Sequence, residues 1–110
     1  MFNRAKKFID MTFFYKPYIG RTGTGDKKYG YIQEAKCYAE GSVKVVKNNA
    51  GTEVLSNIQL YIDGDVDIKE LDMVSFNGVE SEVKAVSTFY AKGKAQIKVV
   101  YLWKVLQNFI

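Results

Sequence analysis

The chain has 110 residues, 47% of them apolar and 15% aromatic, with 16 Lys and Arg against 12 Asp and Glu, one cysteine, one proline and no histidine. That length and composition suit one globular core and exclude disorder, collagen-like repetition and a second core. The longest uncharged stretch, Val54 to Ile62, is nine residues. A bilayer-crossing helix needs roughly 18 to 20, so a soluble protein without a membrane partner is expected.

The start, Met1 to Lys7, is basic, but Asp10 and Lys16 interrupt the apolar stretch that follows and no small-x-small cleavage site appears, so secretion is not expected. Asn3 is a candidate cap for a short helix from Arg4 to Met11. Such a helix is below the roughly 12 to 15 residues at which isolated helices become marginally stable, and it would need docking. Gly20 to Lys28 reads as a flexible basic loop. Gly20 and Gly25 have the spacing of a phosphate-binding loop, but Asp26 stands where that motif needs lysine and no Ser or Thr follows for magnesium.

From Tyr29 onward the two-residue period of strands dominates. Ile58, Leu60 and Ile62 alternate with polar or amphipathic neighbours, Val79 to Lys84 places its charges at even positions, and Val99 to Trp103 is apolar on both faces. Asn48-Asn49-Ala50-Gly51, Asn77-Gly78 and Ala91-Lys92-Gly93-Lys94 separate these runs as hairpin turns. The resulting strands, near 29–39, 42–47, 52–62, 73–76, 79–90 and 95–103, predict an all-β fold: a small antiparallel β-barrel or sandwich built from hairpins, with long loops and at most a short N-terminal helix. One domain spans 1–110, with 1–28 as an N-terminal segment and basic loop and 103–110 as a C-terminal tail.

No catalytic set assembles from these residues. Without histidine, Cys37 has no partner to make a thiolate and no Ser-His-Asp set is possible, so no enzyme and no cofactor are expected. Cys37 alone cannot form an intramolecular disulfide and suits a buried thiol in a reducing compartment. Asp63-Gly64-Asp65-Val66-Asp67 copies the start of a calcium loop, but Ile68 replaces the glycine at its sixth position and Val74 the glutamate at its twelfth. A strand-end turn with aspartates bonding local amides is expected there, and no metal.

Charge is grouped along the chain. Residues 1–28 hold seven basic residues and two acids, residues 53–82 hold Lys69 against eight acids, and residues 83–110 hold five lysines and no acid. An acidic face and basic faces on one surface favour head-to-tail association of copies. Solvated strand faces give the same grouping, and a nucleic-acid groove is a third possibility, weakened by the acidic middle third. Lys27-Lys28-Tyr29-Gly30-Tyr31-Ile32 resembles the aromatic signature of cold-shock domains, departing at Lys28 where glycine is due. The resemblance implies an OB-like module that stacks Tyr29 and Tyr31 on single-stranded bases, with Lys27, Lys28 and the C-terminal lysines on phosphates.

A second resemblance covers more of the chain. Tyr61-Ile62-Asp63-Gly64-Asp65-Val66, the run Leu71 to Val86, Phe89-Tyr90 and Lys98 to Leu102 resemble the small minor capsid proteins of long-tailed bacteriophages, in the head-closure or stopper class of the neck. The resemblance implies a non-enzymatic virion protein with a β-barrel fold, assembled in the host bacterial cytoplasm. It forms a ring below the portal and adaptor, retains packaged DNA through transient contacts that ignore sequence, and docks tail-completion proteins. A tail terminator shares most of this physics. The candidate assembly contacts are Arg21, Lys27 and Lys28 in one loop and Asp63, Asp65 and Asp67 in another, which match the family's loops by position; outside the resemblance, Trp103 and Phe109 are candidates because an apolar tail could anchor on a neighbour.

Overall fold

A computed structural model of the chain describes residues 11–104. Eleven strands follow one another: β1 (Met11–Lys16), β2 (Tyr18–Arg21), β3 (Lys27–Tyr29), β4 (Gln33–Glu40), β5 (Lys44–Lys47), β6 (Glu53–Ser56), β7 (Ile58–Asp63), β8 (Met73–Phe76), β9 (Val79–Glu82), β10 (Ala85–Ala91) and β11 (Lys94–Leu102). Seven of them form one antiparallel sheet in the order β10-β11-β7-β4-β1-β8-β9, while β2-β3 and β5-β6 are separate hairpins. The sheet curls into a half-barrel, so the all-β architecture expected from the sequence is the one observed.

The interior strand β1 lies where a helix was expected to end. Met11 opens a strand and pairs with Cys37 of β4, which rules out helix at that residue; residues 4–10 lie outside the described region. Met-Thr-Phe-Phe-Tyr-Lys is β-branched and aromatic with a two-residue alternation, which suits a pleated surface and not a helix. Phe13 and Tyr15 point inward and stack at 5.7 Å, whereas Phe14 is 43% exposed on the outer face. The inner face is completed by Cys37, Leu60, Ile62, Val74, Phe76, Val83, Val100 and Leu102.

The turns obey their local chemistry. Asn77 and Gly78 have φ of 51° and 79°, and Lys92 and Gly93 have 55° and 77°, which is the doubly left-handed pattern of a two-residue hairpin matched to strand twist. Asn48 caps the β5-β6 turn by accepting from Ala50 N and Thr52 N, each at 3.0 Å.

Three expected strands are broken: the run 29–39 is interrupted between β3, which ends at Tyr29, and β4, which begins at Gln33, and two others are divided by long-range contacts. The run 52–62 divides at Asn57, whose backbone N–H donates to Leu102 O at 3.0 Å and whose side chain exchanges hydrogen bonds with the backbone of Lys104. The run 79–90 divides at Val83 and Lys84. Val83 N donates to Asp72 O at 2.8 Å and Lys84 N to Tyr101 O at 2.9 Å, so these two residues carry the chain from the edge strand β9 to the opposite edge strand β10. The half-barrel's two edges are thereby joined by chain continuity.

Candidate assembly surfaces

The basic candidates sit on a two-stranded hairpin and not on an irregular loop. β2 and β3 pair from Tyr18↔Tyr29 to Arg21↔Lys27, and the tip closes with Thr22 N donating to Asp26 O at 2.7 Å and Arg21 Nη1 to Gly25 O at 2.7 Å. Gly20 and Gly25 supply the positive φ that the bend requires, at 125° and 91°. Residues 21–28 are all exposed, so the hairpin is an arm. Its base is fixed: Gly30 N donates to Pro17 O, Tyr18 meets Tyr29 edge-on at 6.0 Å, and Lys16 Nζ lies 5.6 Å over the Tyr29 ring. Tyr31, just past the arm, is 91% exposed.

Lys27 does not remain a free basic group. It is ion-paired and hydrogen-bonded to Glu82 of β9, and this partner holds its ammonium above the ordinary lysine range. Two blocks of opposite sign in sequence therefore meet inside one molecule, which leaves Arg21 and Lys28 as the arm's outward cations.

Of the acidic candidates, Asp63 ends β7, where it pairs with Ile97 of β11, and Asp65 and Asp67 lie in the connection to β8. Asp65 N donates to Asp63 Oδ1 at 3.0 Å, the local turn expected of this segment. Gly64 is pressed against β11: its N donates to Gln96 O at 3.1 Å, and a Cβ added there would lie 2.3 Å from Ala95 O. Ala95 and Gln96 belong to an irregularity in the β10-β11 register, where Phe89 pairs with Ile97 but Tyr90 with Ala95, so the loop seats against a bulge. Beyond it the loop turns inward. Ile68 is buried, Val66 packs on the core, and Lys98 Nζ donates to Val66 O at 2.6 Å, while Asp65 and Asp67 stay exposed.

Asp72 ends this loop and is completely buried. Its Oδ1 accepts from Tyr18 N at 2.8 Å and its Oδ2 from Lys69 N at 3.0 Å, and the half-exposed Lys69 ammonium lies 3.4 Å away. One carboxylate thus ties the root of the arm to the acidic loop. Burial, and then the nearby Asp67 and Asp72, raise the Tyr15 hydroxyl above the ordinary tyrosine range. Cys37 is buried, and burial pushes its thiol up to about 11. No group of three or more His, Cys, Asp or Glu among the described residues is placed to hold a metal ion.

Of the tail candidates, Trp103 is half-buried, and its N–H donates to Ser81 Oγ of β9 at 3.1 Å. Its backbone is thus part of the fold at the junction of the two sheet edges. Phe109 lies outside the described residues. The structure brings together the arm, Asp72 and Glu82 on one side, and it places Asp63 and Asp65 by β11, in a different neighbourhood.

Two apolar surfaces escaped the sequence reading. The outer face of β5-β6 presents the cross-strand pair Val45↔Leu55, 60% and 50% exposed, next to Val43 at 73%. On the outer face of the main sheet, Phe14, Ile32 and Met73 line a groove of about 380 Å³ bordered by Lys16 and Glu80. Val45-Val46 and Val54-Leu55 are apolar at consecutive positions, so alternation gives no clue to which side faces solvent.

No protein-family model matches the chain, and no curated protein matches it in sequence. Among solved structures it is similar to the phage-like element PBSX protein xkdH from Bacillus subtilis, with a TM-score of 0.50 and 11% identity over 83% of this chain and 92% of that one. What the two share at that identity is a fold. No helix among the described residues is long and apolar enough to cross a membrane.

Proposed function

We propose that this protein is a non-enzymatic structural component of a phage virion, acting in the neck as a head-closure or head-to-tail connector. In this reading it assembles as a ring beneath the portal and adaptor, retains packaged DNA and docks tail-completion proteins. The observation that carries it is the likeness in fold, across most of both chains, to a protein of a phage-like element. The segments of residues 58–102 with phage-neck resemblance form β7 to β11 and the inward-turned acidic loop, and in the sheet these strands flank β4 and β1 on both sides. An exposed arm bearing Arg21 and Lys28 offers sequence-independent phosphate contacts of the kind transient DNA retention requires. The test is a mass measurement or electron micrograph of the protein mixed with portal and adaptor complexes. Incorporation of a ring-sized mass is expected, and its absence would sink the reading.

A second reading is a single-stranded nucleic-acid module, favoured by Tyr31 standing exposed three and four positions along the chain from Lys28 and Lys27. Its stacking set is reduced, since Tyr29 is half-buried between Tyr18 and Lys16. Gel shifts in rising salt separate the two: micromolar binding that falls steeply with salt would favour this one.

A further inference from the structure

We infer that the outer face of the β5-β6 hairpin docks into the groove formed by β1, β8 and Ile32 of a second copy of this chain, a head-to-tail contact that leaves a free hairpin at one end of the pair and a free groove at the other. The inference rests on the ring reading above and names its contact. The hairpin is a preformed projection. Its turn is capped by Asn48, its tip is held by Asn49 N donating to Glu70 Oε2 at 2.7 Å, and its root by Gln59 Nε2 donating to Ser42 O at 2.8 Å and Ser56 Oγ to Leu102 O at 2.9 Å. A two-stranded hairpin is marginal by itself, and here the anchoring at both ends holds Val43, Val45 and Leu55 facing water with little ordering left to lose on binding.

The groove is an apolar concavity on the other side of the proposed contact. Phe14 and Ile32, 43% and 66% exposed, stand beside Met73 around a concavity of about 380 Å³. Leu55 and Val45 are apolar side chains that such an apolar concavity can bury. Charge selects this occupant. The hairpin face continues from Val45↔Leu55 to the cross-strand pair Lys47↔Glu53, and the groove is bordered by Lys16 and Glu80, so Lys47 can meet Glu80 while Glu53 meets Lys16. Because the two surfaces are different patches of one chain, the contact is heterologous: it propagates, giving a ring where its rotation closes and an open filament where it does not.

The test is sedimentation equilibrium and native mass spectrometry of the wild-type protein up to high micromolar concentration, with Leu55→Glu to disable the hairpin and Phe14→Glu to disable the groove. The exposed positions Val45→Lys and Ile32→Lys serve as second variants, and circular dichroism checks that each folds. The wild type should self-associate and each variant should weaken association at least about tenfold. An equimolar mixture of Leu55→Glu and Phe14→Glu should form a 1:1 dimer and nothing larger, since only one intact interface remains. Glu80→Lys should weaken association, and adding Lys47→Glu to it should recover most of the loss. A monomeric wild type, variants that associate as well as it does, or a mixture that stays monomeric would each overturn the inference. Failure of the neck reading looks different: the mixed dimer forms, but the wild type is not incorporated by portal complexes.

Discussion

Replacing Asp72 with alanine should destabilise the fold by about 2 to 4 kcal/mol. The side chain has no exposed surface and accepts two backbone N–H groups, from Tyr18 at 2.8 Å and Lys69 at 3.0 Å. Each hydrogen bond to a charged group is worth about 1.5 to 3 kcal/mol, and an unmatched buried donor carries its own desolvation cost. Against this, removing the carboxylate relieves the cost of burying a charge. The ion pair with Lys69 adds under about 1 kcal/mol, because that ammonium is 56% exposed. Urea unfolding followed by fluorescence or circular dichroism measures the loss as a lower midpoint at unchanged slope. Asp72→Asn, which keeps one acceptor oxygen, should fall between wild type and Asp72→Ala, and Lys69→Met should cost less than about 1 kcal/mol. The reasoning is refuted if Lys69→Met costs as much as Asp72→Ala, or if Asp72→Ala lies within about 0.5 kcal/mol of wild type, the usual span of inconsequential surface changes.

The other expectations follow from single features. Gly64→Ala should cost about 1 to 3 kcal/mol or more in the same urea assay, since the new methyl meets backbone atoms of Ala95 that can move only by disturbing the bulge. Lys92→Asn should stabilise the β10-β11 hairpin by roughly 0.5 to 1 kcal/mol, because Lys92 holds a φ of 55° that asparagine adopts more readily; a lowered thermal midpoint would contradict this. Cys37 should resist a thiol reagent at pH 8 until the protein unfolds. Its folded thiol titrates above its unfolded value of 9.0, so its contribution to stability is whole below pH 9 and is lost as pH rises toward about 11. The variant Cys37→Ala should lack that part of the alkaline decline, measured as urea midpoints from pH 8 to 11.

The difference between expectation and structure lies in the range of the forces involved. Asn77-Gly78 and Lys92-Gly93 could be read as turns because positive φ is a property of the residues themselves. The strand Met11–Lys16 carries an equally local signal in its Thr, Phe and Tyr, residues that favour a pleated surface over a helix whatever cap precedes them. The arm Arg21–Lys28 looked like a loop because glycines and charges are also what an exposed two-stranded hairpin is made of.

By itself, the sequence determined the all-β class, the hairpin turns and the inward row of Leu60 and Ile62, since alternation and turn sterics act over a few residues. Only the tertiary structure decided that β7 lies between β11 and β4, that Val83 and Lys84 join the two sheet edges, and that Lys27 finds Glu82 across 55 positions of sequence. It also decided that Val45 and Leu55 face water while the equally apolar Val74 and Phe76 are buried. These outcomes depend on which distant strands pair and in what register, a choice made by the total packing and hydrogen bonding of the sheet and carried by no single segment.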